Sequence, residues 1–224
     1  MTTPTKVSIL VFDGITALDA IGPYEVLRQV PGWEVTFVGK APGEVRTEDG
    51  GLGLVADRGL AEATEADLLL VPGGGGTRPL LADAEVLEWV REVDRGTRWT
   101  TSVCTGSLIL GAAGLLQGRR ATGHWLYLEP LREFGAEPVG GRWVEDGKYV
   151  TAAGVSAGID MALHLVGRDV GPEVAEAVQL GIEYDPQPPF DAGAPHKAPA
   201  AVVEAVRARS EGGRPASASG SPTS

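Results

Sequence analysis

One stretch of the chain, from Trp99 to Leu116, restricts the possible folds more than any other. Its first half, Trp-Thr-Thr-Ser-Val, is rich in β-branched residues and predicts a strand, and its second half predicts an apolar helix. Cys104, the only cysteine, stands at the bend between them. A strand that runs directly into a helix is typical of α/β proteins, and it presents the side chain at the bend at the end of the sheet. We therefore predict an α/β fold with a cysteine nucleophile elbow.

The predicted elbow gives the Cys104 thiol a distinctive environment. The amides of Thr105, Gly106 and Ser107 begin the helix without intrahelical partners, and the positive end of the helix dipole favours a thiolate. Cysteines at helix N-termini have pKa values lowered to about 3.5–7.5, from about 8.5. A lone cysteine without this context is most often a small buried hydrophobe. The elbow favours an exposed, reactive thiolate instead.

Length and charge limit the kinds of protein that this chain can be. With 224 residues, 43% of them hydrophobic, we expect one domain over residues 1–210 and a disordered tail over 211–224. A net charge of −11 without a Lys/Arg cluster argues against a nucleic-acid partner. The single cysteine, the lack of a secretory pattern and the short apolar runs predict a cytoplasmic protein without membrane contact.

The rest of the chain alternates between predicted strands and helices, which indicates βαβ units and a mostly parallel sheet. The predicted strands are Lys6 to Phe12, Trp33 to Val38, Ala66 to Val71 and Arg119 to Thr122, with hairpins within 44–58 and 142–151. The predicted helices are Thr16 to Arg28 interrupted at Gly22-Pro23, Arg78 to Asp94, His124 to Phe134, Ala157 to Val166 capped by Ser156, Glu173 to Tyr184 and Pro199 to Arg209.

Asp19 is the predicted acidic partner of Cys104. It follows the first strand and precedes the expected break at Gly22-Pro23, which places it near the C-terminal edge of the sheet. Burial there would raise its pKa, so that it keeps a proton, donates to a thiolate and acts as a general acid. A surface aspartate or helix cap is the ordinary alternative.

The run Gly73 to Gly76 follows a buried strand, one βα unit before the elbow. The amides of Gly73 and Gly74 are candidates to bind a substrate or oxyanion atom. A turn that only connects two elements is the alternative, chiefly for Gly75 and Gly76. No phosphate-binding motif accompanies the run.

The histidines offer weaker candidates for catalysis. His124 is predicted to cap a helix, His164 to be a satisfied core residue and His196 to lie in a terminal arm. None of them has metal-ligand spacing with Cys104, so we expect no metal site.

Several motifs occur together and in order: Leu18-Asp19-x-x-Gly22-Pro23, Val71-Pro72-Gly73-Gly74, Ser102-Val-Cys104-Thr105-Gly106, Gly114-Leu-Leu-x-Gly-Arg-Arg-Ala-Thr-x-His124-Trp125, Ala157-Gly-Ile-Asp160 and Gln179-x-x-Ile-Glu-Tyr-x-Pro-x-Pro-Pro-Phe190. With these motifs, residues 6 to 207 resemble the ThiJ/PfpI superfamily, and within it the subgroup that acts on isocyanides.

This resemblance implies a flavodoxin-like three-layer sandwich, a homodimer and hydration of an isocyanide to an N-substituted formamide without cofactor or metal. It implies that Cys104 is the nucleophile, Asp19 its acidic partner and Thr105 a neighbour that tunes the thiol. Superfamily proteases and chaperone-like members often have His after the cysteine and Glu in the first helix, so Thr105 and Asp19 argue against both activities. Gly123 stands where relatives usually have Thr.

A different function is also compatible with these residues. Cys104 could serve a ligand-sensing or oxidative-stress-sensing domain, in which it is oxidised or forms an adduct without turnover. Amidotransferase-like domains of AraC-type regulators share the Cys-Thr-Gly stretch, but the residues after Tyr184 are too few and too rich in proline for a helix-turn-helix domain.

Overall fold

The computed structural model describes residues 3–211. The chain divides into two compact units, the first ending at Tyr184 and the second beginning at Asp185. The single domain expected over 1–210 stays a prediction. The expected tail lies outside the described residues, apart from Glu211, which ends the last helix.

Strands and helices alternate along most of the first unit. Its strands are β1 Thr5–Leu10, β2 Trp33–Gly39, β3 Gly43–Arg46, β4 Gly53–Ala56, β5 Arg58–Gly59, β6 Leu68–Val71, β7 Trp99–Val103, β8 Arg120–Ala121, β9 Glu137–Pro138, β10 Trp143–Asp146 and β11 Tyr149–Ala152. Its helices are α1 Ala17–Leu27, α2 Thr77–Leu80, α3 Ala84–Gly96, α4 Gly106–Ala112, α5 Ala157–Asp169 and α6 Pro172–Gly181. The second unit contains α7 Ala200–Glu211.

A seven-stranded sheet forms the centre of the first unit, in the order β10-β11-β7-β6-β1-β2-β5. Every pairing is parallel except that of β10 with β11. The order β2, β1, β6, β7, β11 is that of flavodoxin-like sheets. Helices pack on both sides, with α1 and α6 against α5, and α2 and α3 against α4. The predicted three-layer α/β fold is confirmed.

Local sequence explains the main elements of this sheet. All four side chains of β6 are buried, as expected of a continuous apolar strand with helices on both faces. The predicted hairpin of β10 and β11 is present, and it turns at Gly147-Lys148, where Gly147 has a φ of +65°. The predicted small hairpin is also present, as β3 and β4.

Two predicted helix boundaries are wrong. The helix α1 continues through Pro23, whose ring packs against Gly158 of α5, so tertiary packing outweighs the lost hydrogen bond. The stretch 78–94 forms two helices because Asp83 caps α3, its Oδ1 accepting from the amide of Val86 at 3.3 Å.

Two further local predictions also differ from the structure. Residues 124–134 form two short 3₁₀ segments, Trp125–Tyr127 and Glu129–Phe134, and Pro130 lies in the first turn of the second. Ser156 does not cap α5, since its hydroxyl accepts from Arg142 instead. No helix within residues 3–211 is long and apolar enough to cross a bilayer.

Candidate active site

Cys104 lies between the end of β7 and the start of α4, with a φ of +61°. Side chains other than glycine rarely adopt this left-handed conformation, which costs about 1–3 kcal/mol and is common at functional sites. The bend is also tightly packed, because a Cβ on Gly106 would lie 2.0 Å from the carbonyl oxygen of Val71. The backbone therefore holds the cysteine in one position at the C-terminal edge of the sheet.

The exposure expected for Cys104 is wrong. Only 5% of the residue is accessible in this chain. Its own amide donates to the carbonyl oxygens of Ala152 and Ala153, both at 3.2 Å, which draws the segment after β11 over the bend. The sulfur therefore lies in a desolvated environment.

Asp19 of α1 is fully buried beside this sulfur. Its Oδ2 accepts a hydrogen bond of 2.9 Å from the amide of Gly73, while no group in residues 3–211 hydrogen-bonds its Oδ1 in good geometry. Burial raises the pKa of Asp19 to about 7, against smaller lowering effects of the Gly73 amide and the Cys104 thiol. The predicted burial and raised pKa of this acid are confirmed.

The thiol pKa differs from the prediction. Burial, and then the negative charge of Asp19, raise the pKa of Cys104, while the amides of Thr105 and Val155 lower it. The predicted lowered pKa is wrong, because desolvation of a buried thiolate outweighs the two amides that face it. As pH rises, the first proton lost by the Asp19–Cys104 pair leaves near pH 7.

The glycine loop supports the acid and the elbow. The amide of Gly73 donates to Asp19, and the amide of Gly74 donates to Oγ1 of Thr105 at 2.9 Å. A Cβ on Gly73 would lie 2.4 Å from Thr105 Oγ1, so the close approach requires glycine. Both amides have partners within the protein, and binding of a substrate or oxyanion atom by Gly73 and Gly74 stays a prediction.

Thr105 has two separate roles in this arrangement. Its amide faces the sulfur of Cys104 and lowers the thiol pKa. Its hydroxyl oxygen lies 3.0 Å from that of Thr77 and holds the glycine loop. The side chain therefore stabilises the loop, while the backbone acts on the thiol.

Val155 contributes an amide that the sequence analysis missed. It follows β11, the strand beside β7, and has a φ of +42°, which is strained for a β-branched residue. The carboxyl ends of neighbouring parallel strands meet at one edge of a sheet. The segment Gly154-Val155-Ser156 after β11 could have been recognised from that rule.

The histidines lie largely where predicted. His124 Nδ1 accepts from the amide of Leu126 at 3.3 Å, so its predicted capping role is confirmed, and burial lowers its pKa. The core position predicted for His164 is wrong, because its side chain is only partly buried and its Nε2 lies 2.8 Å from Glu145 Oε2. His196 is exposed. No group of three or more acidic, His or Cys side chains in residues 3–211 is arranged to hold a metal ion.

Gly123 fits closely against the elbow. A Cβ there would lie 2.5 Å from Ser107 Oγ and 2.9 Å from the carbonyl oxygen of Cys104. A threonine at this position would therefore require the elbow helix to shift.

The sequence model described as the DJ-1/PfpI family matches residues 5–168 of this chain. The chain belongs to the DJ-1/PfpI family. An isonitrile hydratase of Pseudomonas putida is 46% identical over 204 residues, which are 91% of this chain and 89% of that protein. The HTH-type transcriptional regulator GbdR of Pseudomonas aeruginosa is 30% identical over 81% of this chain and 51% of its own length. The resemblance to the superfamily is thus confirmed.

Solved structures of DJ-1/PfpI proteins have the same fold. A ThiJ/PfpI family protein from Pseudomonas syringae has a TM-score of 0.89 and 38% identity, covering 92% of this chain and 85% of its own. Drosophila melanogaster DJ-1beta has a TM-score of 0.71 at 21% identity, covering 80% of this chain and 98% of its own, and supports the fold alone.

Proposed function

We propose that this DJ-1/PfpI protein hydrates an isocyanide, R–N≡C, to the N-substituted formamide, with Cys104 as the nucleophile and Asp19 as the acid and base. The observation that carries the proposal is the buried pair itself, in which the Asp19 carboxyl lies beside the only thiol of the chain and no group in residues 3–211 hydrogen-bonds its Oδ1 in good geometry. The 46% identity with an isonitrile hydratase supports the reaction class.

The first step forms a covalent intermediate. The sulfur of Cys104 attacks the terminal carbon of the isocyanide, a soft electrophile suited to a polarizable sulfur nucleophile. The thiol proton passes to Asp19 as the carbon–sulfur bond forms, and Asp19 then delivers it to the same carbon. The product is a thioimidate, Cys104–S–CH=N–R, so the S–H bond has been replaced by S–C and C–H bonds.

The second step consumes water. Water adds across the C=N bond of the thioimidate and gives a tetrahedral intermediate, from which the S–C bond breaks. The sulfur takes back a proton through Asp19, and HC(=O)–NH–R leaves. The sum is one isocyanide and one water to one formamide, with no change in the oxidation state of the protein. The chain's own groups and water suffice, so we propose that no cofactor takes part.

The pKa of Asp19 fits this cycle, because a proton-transfer group is most efficient when its pKa lies near the working pH. The active form contains one proton shared by Asp19 and Cys104, and the pair reaches it by losing a proton near pH 7. We predict that kcat/KM rises with pH through about 7 and levels off above it. Initial rates between pH 5.5 and 9 measure this profile, and a rate that falls through that range would contradict the assignment.

Turnover of an aryl isocyanide, followed by the appearance of its formamide, tests the proposal. Cys104→Ser should abolish turnover, and Asp19→Asn should reduce kcat/KM by about 100-fold or more, since general acid–base groups contribute about 10²–10⁴. Asp83→Asn, a carboxylate change at the α3 cap, is the matched control and should retain activity. A stoichiometric Cys104 adduct without formamide would overturn the enzyme proposal in favour of a sensing domain.

Two expectations from the sequence are kept as proposals. The resemblance implies a homodimer, which sedimentation equilibrium would detect as twice the 23.3 kDa chain mass. The sequence predicts a cytoplasmic location, which cell fractionation would test.

A further inference from the structure

The segment that carries the Val155 amide is held at both ends by Arg142. The carbonyl oxygen of Arg142 accepts from the amide of Ala153 at 3.0 Å, and its guanidinium donates to Ser156 Oγ at 3.0 Å. Val155 lies between these two attachments. Arg142 therefore forms hydrogen bonds on both sides of the Val155 amide, one with Ala153 and one with Ser156.

Arg142 is itself fixed by a second layer of contacts. Its Nε donates to Asp160 Oδ2 of α5 at 2.5 Å, and the other oxygen of Asp160 accepts from the Tyr184 hydroxyl at 3.0 Å. The Tyr184 backbone is held by Gln179 of α6, in part through a bond of 3.1 Å from the Gln179 side chain. The chain of contacts thus runs from α6 through α5 to the segment beside Cys104.

The conformation of Val155 explains why such a restraint is needed. A β-branched residue at a φ of +42° is strained and relaxes unless its surroundings hold it. The hydroxyl of Ser156 serves this restraint and does not cap α5. Helix capping would have been the ordinary use of a serine at that position.

We propose that Arg142, Asp160 and Tyr184 are positioning residues that hold the Val155 amide against the sulfur of Cys104. The inference concerns the reactivity of the thiol, and it rests on the proposed function only for its relevance to turnover. Asp19 from α1 and His124, whose amide donates to the Cys104 carbonyl oxygen, are the other titratable groups at the sulfur site. Within residues 3–211, neither side chain hydrogen-bonds or forms an ion pair with Arg142, whose guanidinium contacts Asp160 and Ser156.

Alkylation of Cys104 by iodoacetamide, measured as a second-order rate from pH 6 to 10, tests the proposal without any isocyanide. In Arg142→Gln, loss of an aligned donor should raise the thiol pKa by about one unit and slow alkylation about tenfold across this pH range, because the raised thiol pKa leaves only a small thiolate fraction there. Arg142→Lys should recover part of the rate, because an ammonium keeps the charge but cannot donate to Ser156 and Asp160 together as a guanidinium does. Failure of isocyanide turnover would leave this result unaffected.

Arg168→Gln is the matched control. Arg168 joins α5 to β10 by an ion pair of 3.1 Å with Glu145, and this pair does not include the segment around Val155. The alkylation rate of Arg168→Gln should equal that of the wild type. Ser156→Ala and Tyr184→Phe each remove one hydroxyl from the contacts around Arg142 and should slow alkylation by a smaller factor. A purely structural role would lower the melting temperature without changing the alkylation rate of the folded protein. Unchanged alkylation rates in Ser156→Ala and Tyr184→Phe would overturn the proposal.

Discussion

Asp19 and Cys104 each have a structural feature that is uncommon in proteins, a buried carboxyl group for Asp19 and a positive φ for Cys104. Asp19 is 0% exposed, and no group in residues 3–211 hydrogen-bonds one of its carboxyl oxygens in good geometry. Cys104 is a non-glycine residue in the left-handed region. Both conditions cost free energy, and proteins retain such costs chiefly where they serve function. The two residues lie side by side, which is why the pair marks the candidate site.

The buried acid predicts how stability depends on pH. The pKa of Asp19 is raised from 3.8 to about 7 in the folded protein, so the native state binds this proton more tightly than the unfolded state. The contribution to stability is complete below pH 4 and is lost as pH rises through 7, because a bare carboxylate is then left buried.

Asp19→Asn removes this titration. We predict that the free energy of unfolding of Asp19→Asn, relative to that of the wild type, increases by about 2–4 kcal/mol between pH 5 and pH 8.5. Urea unfolding of both proteins at the two pH values measures the difference. Equal differences at both pH values would show that Asp19 titrates normally in the folded state.

At the scale of elements, the elbow depends on how closely α4 approaches β6. The backbone of Gly106 touches the carbonyl oxygens of Val71 and Pro72, so that the helix begins against the end of the neighbouring strand. This contact explains why α4 is almost wholly buried and why the bend leaves no room for a side chain at 106. The position of Cys104 is thus set by packing between two elements.

Gly106→Ala should disrupt this contact. Its Cβ would lie 2.0 Å and 2.7 Å from two backbone oxygens that cannot move independently, and we predict a loss of roughly 3 kcal/mol or more, at the upper end of overpacking effects. Gly96→Ala at the end of α3 is the control, since within residues 3–211 no atom from outside its own helix backbone and chain neighbours would lie within 4 Å of its Cβ. It should be neutral or stabilise by up to about 1 kcal/mol. Thermal unfolding of both variants checks this, and a Gly106→Ala protein as stable as the wild type would contradict the packing argument.

At the scale of the whole molecule, the two units differ in how much regular structure they contain. The first unit contains the seven-stranded sheet and its helices, with the core formed by buried aliphatic side chains of both faces. Residues 185–199 form no helix or strand and are mostly exposed. The local stability of these two parts should therefore differ greatly.

Limited proteolysis should detect this difference. We predict that chymotrypsin first cuts after Phe190, which is 79% exposed, and that trypsin first cuts after Lys197 in the same segment. Mass spectrometry of early digests should show a resistant fragment that contains residues 3–184. An early cut within β1 to α6 would contradict the prediction.

Much of the fold could be predicted from the sequence because its signals are local. The apolar run at 68–71, the turn after Asp146 and the bend at Cys104 each depend on neighbours along the chain. The errors arose where a competing local or tertiary contact decided the outcome. Packing on α5 kept α1 continuous through Pro23, and the cap at Asp83 divided a single predicted helix.

The sequence by itself determined the α/β alternation, the position of the only thiol at a strand-to-helix bend and the acid that accompanies it. Only the tertiary structure decided that the thiol is buried, that its pKa is raised, that Gly73 and Gly74 donate to Asp19 and Thr105, and that Val155 supplies an amide. The physical reason is the range of each interaction. Secondary structure follows from near neighbours, whereas desolvation and hydrogen-bond partners depend on segments that meet only when the sheet has formed.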